Sequence, residues 1–392
     1  MRRVRVTNET EAAEAVRAAA ADRTTLEIVG RATKRALGHP VFADAGLDMS
    51  GLTGILFYEP EELVIAARAG TRLVEIEAAL AAKGQMLAFE PVDWAALYGG
   101  VPGQATLGGT IAANACGSRC VKAGAVRDHA IGCRFVNGRA EAVKAGGRVV
   151  KNVTGFDLTK LMCGAFGTLG ALTELTFRTV PRPDRAPALV LRDIGPDDGL
   201  AALRMAAASP LEPTGLAYMP RGIRPEYGRG AAAIRVEGAA EAAAEKLALL
   251  REKFAGHETQ ILDDAEAGAL FHDVGEGNFL ADTETDIWRL AIPSSAASAA
   301  AREAGAALWL ADCAGAVLWL GLPATEAVAT RLRGIAARLG GHATLMRANE
   351  GARASLPVFQ PEPAARASLT GSVKAAFDPL ALFNPGRMYG NV

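Results

Sequence analysis

Three stretches of this chain combine residue types and spacings suited to holding a large anionic ligand. The first, Val29-Gly30-Arg31-Ala32-Thr33-Lys34-Arg35, follows a short apolar run and joins a tight turn to three basic side chains. Consecutive backbone N–H groups in such a turn form a nest for phosphate oxygens, and Arg31, Lys34 and Arg35 add positive charge. Read alone, a basic surface turn has the same composition. The second stretch runs from Ala105 to Ser118 through Thr106, Gly108, Gly109, Ala113, Asn114 and Gly117. Side chains this small over such a length let backbone approach a flat or charged ligand closely. No helix or strand is expected to account for it, and a glycine-rich structural turn is the plainer alternative. The third, Lys151-Asn152-Val153-Thr154-Gly155-Phe156-Asp157-Leu158, places Asp157 to cap a short helix and continues into Gly164, Gly167, Thr168 and Gly170. A GxGxxG turn between a strand and a helix is absent, so a Rossmann domain is not supported.

Groups able to move protons or bind metal are sparse. The histidines are His39, His129, His257, His272 and His342. An imidazole near its free pKa of about 6.5 can take a proton from a substrate, and His342 is the candidate base, with a structural histidine as the alternative. Arg347 has the planar fork that clamps a carboxylate, and a surface arginine remains the other reading. The five cysteines, Cys116, Cys120, Cys133, Cys163 and Cys313, contain no CxxC pair. They read as reduced thiols of a cytoplasmic protein, with no metal or iron–sulfur site, and Cys116 and Cys120 fit packing better than redox work.

The elements that must position these groups fall into two regimes. In the first, Thr7 or Asn8 caps a helix to Ala20, strands follow at Leu26–Val29 and Leu63–Ala69, and Thr71 caps a helix with Leu73, Ile76 and Leu80 on one face. Hairpin-like sequence covers Val136 to Lys151, then a helix Leu158–Gly164, a strand Ala171–Arg178 and a linker at Pro181-Arg182-Pro183. In the second, strands near Leu189, Ile234, Ile287 and Val317 alternate with helices in two βαβ-like rounds, and a helix over Leu369–Phe377 precedes the terminal turns. The fold class expected is α+β.

Composition narrows the field. The 392 residues carry 42 basic and 43 acidic side chains, a net charge of −1, which removes the electrostatic footprint of a general nucleic-acid binder. The most apolar stretch, Ala304 to Leu322, is broken by Asp312, Gly315 and Gly321, so it reads as two buried strands and not a membrane anchor. Polar Thr7 to Thr10 follow the basic N-terminus where a signal peptide would be apolar.

Together the three loops resemble the FAD-binding domain of vanillyl-alcohol-oxidase-type flavoproteins. Among the FAD-linked 2-hydroxyacid dehydrogenases, the chain resembles the FAD-binding subunits of bacterial glycolate oxidases. The resemblance extends to Pro60-Glu61-Glu62-Leu63-Val64, Gly70-Thr71, Gly84-Gln85-Met86-Leu87, Val126-Arg127-Asp128, Gly340-Gly341-His342-Ala343-Thr344 and Phe383-Asn384-Pro385-Gly386-Arg387. It implies an FAD-binding domain of two α+β subdomains over residues 1–182, a ferredoxin-like cap over 183–346, and a segment 347–392 returning to the first. It further implies a pyrophosphate turn at Gly30 to Arg35, a segment along the flavin at Thr106 to Gly117, a turn near the adenosine half at Gly164 to Gly170, and a return toward the isoalloxazine at Asn384 and Arg387. Noncovalent FAD is implied, because the first loop contains no histidine. So are a small 2-hydroxyacid substrate such as glycolate, a second FAD-linked subunit, an iron–sulfur subunit, and membrane contact only through those partners. An alternative is a flavin-binding structural or electron-relay subunit without its own oxidation site. The sequence departs from related dehydrogenases at His272-Asp273-Val274-Gly275-Glu276-Gly277-Asn278-Phe279, where histidine spacing rules out their metal-associated motif and a loop is expected.

Overall fold

In the computed structural model, which describes residues 2–148 and 155–390, the chain divides into two compact units. Unit 1 comprises Met1–Cys116, Gly124–Arg182 and Pro361–Val392, and unit 2 comprises Gly117–Ala123 and Pro183–Gln360. Val149 to Thr154, which include the first residues of the third loop, lie outside the described residues.

Unit 1 contains two main sheets. Ala45–Asp48 is the centre of a three-stranded parallel sheet, flanked by Arg2–Arg5 and Leu26–Val29. The two flanking strands run the same way, and the helix Glu9–Asp22 provides the crossover between them. Asn8 caps that helix by accepting from the Glu11 N–H at 2.9 Å, a contribution of about 1 kcal/mol. Ala12, Val16 and Ala19, spaced along one helical face, are buried. The second sheet is antiparallel, in the order Ile55–Glu59, Val64–Arg68, Ala171–Arg178, Ala130–Val136, Ala142–Gly146. Leu26, Leu47, Val136, Ala171 and Phe383 share one buried cluster, so apolar contact joins the two sheets and the C-terminal segment.

Unit 2 is built on one eight-stranded antiparallel sheet. Its sequence reads βαββαβ twice. The first round is Ala188–Leu191, helix Pro196–Ala207, Gly215–Pro220, Gly230–Arg235, helix Ala240–Lys253 and Thr259–Leu262. The second is Ile287–Ala291, helix Ala297–Ala304, Leu308–Asp312, Val317–Gly321, helix Glu326–Arg338 and His342–Arg347. Each is a ferredoxin-like unit, and they meet edge to edge where Tyr218 pairs with Ala311. The ferredoxin-like topology expected over residues 183–346 thus occurs twice. Residues 347–360 stay with unit 2, since the Leu345 N–H donates to the Val358 carbonyl and the Ala343 N–H to the Gln360 side chain.

Two local readings need correction. The Ala105–Ser118 stretch holds a helix, Leu107–Ala113, started by the Thr106 hydroxyl and packed by buried Leu107, Thr110 and Ile111. The His272 segment is not a loop but the last turns of the helix Asp264–Glu276. That helix opens with an Asp263/Glu266 capping box and closes at Gly277 with φ 70°.

Candidate cofactor-binding site

The strand Leu26–Val29 delivers the chain to the basic turn, where Ala32 takes a left-handed φ of 61° and its carbonyl accepts from the Arg35 N–H at 3.1 Å. Glu27, only 2% exposed, receives both arms of the Arg35 guanidinium, Nε at 2.6 Å and an Nη at 2.9 Å. Such a fork neutralises the one carboxylate in the neighbourhood. Arg31 reaches the Gln104 amide oxygen at 3.0 Å, and the Lys34 ammonium stands 5.8 Å from the Trp94 ring centre. Arg387 arrives from the C-terminal segment, buried, with its guanidinium donating to the Lys34 carbonyl at 3.1 Å and its own carbonyl accepting from the His39 N–H at 3.0 Å.

Asn384 joins three segments. Its Oδ1 accepts from the Ile28 N–H at 2.8 Å, its Nδ2 donates to the Phe166 carbonyl at 2.7 Å, and its backbone N–H donates to Leu26 at 2.9 Å. Behind it, Lys374 and Asp378 are 4% and 1% exposed. The Lys374 ammonium donates to Asp378 at 2.8 Å, to the Thr168 carbonyl at 2.7 Å and to the Phe383 carbonyl at 2.9 Å. Asp378 in turn accepts from the Leu382 and Phe383 N–H groups. Burial lowers the Lys374 pKa, and the adjacent Asp378 carboxylate offsets part of that shift.

These segments line an open cleft of about 570 Å³ in unit 1. Its wall carries Gly30, Arg31, Ala32, Thr33, Lys34, Arg35, Thr106, Gly109, Ala113, Asn384 and Arg387. An adjoining cleft of about 430 Å³ shares Gly30, Thr106 and Gly109 and adds Gly108, Gly167 and Gly170. With Arg35 paired to Glu27, three further basic side chains, Arg31, Lys34 and Arg387, suit a phosphate-bearing ligand. The N-terminus of Leu107–Ala113 does not supply that charge: the Leu107 and Gly108 N–H groups donate to Thr71 and Ala69 carbonyls, at 2.9 and 2.7 Å. The basic turn does.

Of the residues the sequence singles out, Asn114, Gly117, Gly164 and Thr168 do not line either cleft. Asn114 ends the helix with φ 48° and accepts from the Arg127 N–H at 3.1 Å. Gly164, with φ 80°, donates its N–H to Ile111, and the Thr168 hydroxyl donates to the Ala165 carbonyl at 2.7 Å. Gly117 belongs to the segment grouped with unit 2. Lining residues that sequence reasoning missed include Glu27, Ile28, Ala112 and Phe166. Glu27 had a signal, an acid inside an apolar strand eight residues before an arginine. Phe166 had none, since its left-handed φ of 51° is unusual for an aromatic residue.

The two proposed catalytic residues sit in unit 2. His342 opens the edge strand His342–Arg347 as a partly exposed residue, and the partial burial of its ring, then the Arg289 charge, hold its pKa below the usual imidazole value. Arg347 spends its guanidinium on the 281–285 loop: the Ala281 carbonyl at 2.7 Å, the Thr283 carbonyl at 2.6 Å and the Thr285 carbonyl at 2.8 Å. That geometry ties down a loop, and it is not the open fork a substrate carboxylate would need. Among the described residues no cluster of three histidine, cysteine, aspartate or glutamate side chains could hold a metal, and no helix is long and apolar enough to cross a membrane.

Residues 2–146 match the FAD binding domain family. In fold the chain is similar to p-cresol methylhydroxylase with substrate bound, at a TM-score of 0.74 and 16% identity over 100% of this chain and 89% of that one. The chain thus has the fold of p-cresol methylhydroxylase and carries an FAD binding domain. The chain is 35% identical to the Escherichia coli (strain K12) protein "Glycolate oxidase subunit GlcE", over 97% of each. It is 33% identical to the Bacillus subtilis (strain 168) protein "Glycolate oxidase subunit GlcD", over 35% of this chain and 27% of that one. It belongs to the family of FAD-linked oxidoreductases that contains the glycolate oxidase subunit GlcE. FAD is its cofactor, and the cleft lining presents no histidine, cysteine or tyrosine to which a flavin could be covalently attached.

Proposed function

We propose that this chain is the FAD-binding subunit of a glycolate-oxidase-type complex that oxidises glycolate or a similar small 2-hydroxyacid to the 2-oxoacid. The observation that carries the reading is the cleft itself, a basic turn and a glycine-lined wall brought together in a chain that matches a glycolate oxidase subunit from end to end. FAD supplies the two-electron acceptor, which no side chain can provide. The residues do the rest. Arg31, Lys34 and Arg387 neutralise its phosphates, the Gly109 to Ala113 backbone lets a flat ring lie close, and Asn384 holds the strand, the 165–170 turn and the C-terminal segment in one arrangement. Two partners complete the proposal: a second FAD-linked subunit, which the likeness to GlcD supports, and an iron–sulfur subunit that takes the electrons onward. The complex would reside in the cytoplasm and reach the membrane's inner face only through those partners.

A second reading is favoured by one observation. The Arg347 guanidinium, the fork expected to clamp a substrate carboxylate, is committed to the 281–285 loop. A relay subunit that binds FAD and leaves substrate oxidation to its partner fits this. Anaerobic addition of glycolate or D-lactate to the FAD-loaded chain separates the two. Bleaching of the flavin band by the chain alone supports an oxidising subunit, and a band that stays unbleached supports the relay. As a base, His342 would contribute about 10²-fold or more to turnover of the assembled complex. His342→Ala with unchanged turnover removes it from the mechanism.

A further inference from the structure

The pair Cys120 and Cys313 is 193 residues apart in sequence, yet the two Sγ atoms lie 3.3 Å from each other within unit 2. Cys120 opens the short helix Cys120–Ala123, and Cys313 sits in the turn joining the strands Leu308–Asp312 and Val317–Gly321. We propose that Cys120 and Cys313 are a redox-active dithiol, a modification site at which a peroxide converts two thiols into a reversible cross-link.

Proximity is not the only observation. Cys313 and Ala314 hold successive left-handed φ angles of 52° and 57°. The connection between the paired Asp312 and Val317 is four residues long, and its first two positions are non-glycine residues at positive φ, where a Cβ is strained; strained backbone persists where surrounding contacts over-determine it. Those contacts are present. Asp312, 5% exposed, accepts from the Cys313 N–H at 2.7 Å through one oxygen and from the Ser118 hydroxyl at 2.9 Å through the other. Ser118 is fully buried and two residues from Cys120. One carboxylate thus registers the turn against the 117–123 segment, and the second point of registration is the thiol pair. A disulfide needs its sulfurs about 2.05 Å apart, a small closure from the reduced geometry.

The oxidation balances without help from the flavin. The Cys120 thiolate, the more exposed of the two, attacks a peroxide oxygen; the O–O bond breaks, leaving a sulfenic acid and water. Cys313 sulfur then displaces the sulfenic hydroxyl, forming the S–S bond and a second water. Two thiols lose two electrons and two protons, and the peroxide is reduced to two waters. Selectivity follows from burial, which pushes the Cys133 thiol up to about 11 and the Cys163 thiol up to about 12, so both remain protonated and unreactive near neutral pH.

The test uses the purified full-length chain titrated with hydrogen peroxide while folded, then quenched, unfolded in denaturant at mildly alkaline pH, alkylated with iodoacetamide and mapped by peptide mass spectrometry. Cys120 and Cys313 should lose alkylation together and appear as one linked peptide pair that dithiothreitol restores, while Cys133 and Cys163 stay fully alkylated. Amide exchange across residues 117–123 should slow by about threefold or more on oxidation, because the segment becomes covalently tied to the turn. In Cys120→Ser the linked peptide should vanish and Cys313 remain alkylatable. Independent loss of the two thiols, a different partner for Cys120, or unchanged exchange on cross-linking would overturn the proposal. None of these outcomes depends on FAD being bound, so the cofactor reading stands or falls separately.

Discussion

A Cβ added at Gly108 would stand 2.9 Å from the Ala69 Cβ and 3.0 Å from the Ala69 carbonyl oxygen, whereas one at Gly109 would meet only the Thr106 hydroxyl, at 3.2 Å. The first glycine lets a helix approach a neighbouring strand, and the second keeps the cleft wall bare. Gly108→Ala should therefore destabilise the apoprotein by about 1–3 kcal/mol in denaturant unfolding, with FAD affinity of the folded fraction little changed. Gly109→Val should leave stability within about 1 kcal/mol and weaken FAD binding by about tenfold or more, a loss of about 1.4 kcal/mol in a fluorescence titration. The sequence marks both positions as stripped of side chains. It does not separate their reasons, because Ala69 lies in a different element. Charge behaves similarly. Glu9 accepts from Arg134 Nε at 3.0 Å and from the Thr173 hydroxyl at 2.7 Å, tying the first helix to the antiparallel sheet. The Arg134 hydrogen bond is the main cause holding its carboxyl below the usual range. Its stabilisation is present above an ordinary glutamate pKa of about 4.3 and is lost as pH falls through the lower folded value. Glu9→Gln should cost about 1–2 kcal/mol at pH 7, with the difference from wild type shrinking in acid. Urea unfolding at pH 7 and pH 3 checks this, and a difference equal at both would contradict it.

At the scale of elements, the helix Ala364–Phe377 contributes through one buried ion pair more than through its apolar face. Lys374 satisfies the Thr168 and Phe383 carbonyls, and Asp378 the Leu382 and Phe383 N–H groups, so the pair connects the 165–170 turn to the segment bearing Asn384. Lys374→Met leaves a buried carboxylate uncompensated and should cost about 3–5 kcal/mol, with weaker FAD binding because Asn384 loses its fixed frame. Adding Asp378→Asn should recover part of the stability. Recovery of stability without any change in FAD affinity at either step would show that the pair supports the fold alone. The elements best read from sequence are those with clear periodicity or caps. The strands Leu26–Val29 and Ala171–Arg178 fall where alternation and turn residues put them, and Asp157 caps its helix by accepting from the Lys160 N–H at 3.1 Å. The helix Leu107–Ala113 was hidden by two glycines that lower its propensity; backbone bonds to Ala69 and Thr71 hold it instead.

For the molecule as a whole, the near-zero net charge and the doubled ferredoxin-like sheet of unit 2 describe a chain whose specificity is local. The repeat was only half visible. Strands around Leu189, Ile234, Ile287 and Val317 are marked by aliphatic residues, but Gly215–Pro220 begins in glycine and ends in proline, and Thr259–Leu262 is a short edge strand with one buried residue. Each therefore reads as a loop until its partners are known. The cleft was legible in outline, through the basic turn, the glycines and the C-terminal Asn384 and Arg387, because those residue types are required locally. Of its closing residues, Glu27 is marked by its local pairing with Arg35, whereas Phe166 is held by the bond from the Asn384 Nδ2 to its carbonyl, which no window of sequence contains. The central claim is that the unit 1 cleft binds FAD, and spectroscopic titration of the cofactor-free chain with FAD tests it most directly. The account predicts saturation at one FAD per chain with a perturbed flavin spectrum, and loss of that binding in Gly109→Val. A folded wild-type chain that takes up no FAD, or a Gly109→Val variant that binds as tightly as wild type, would contradict it.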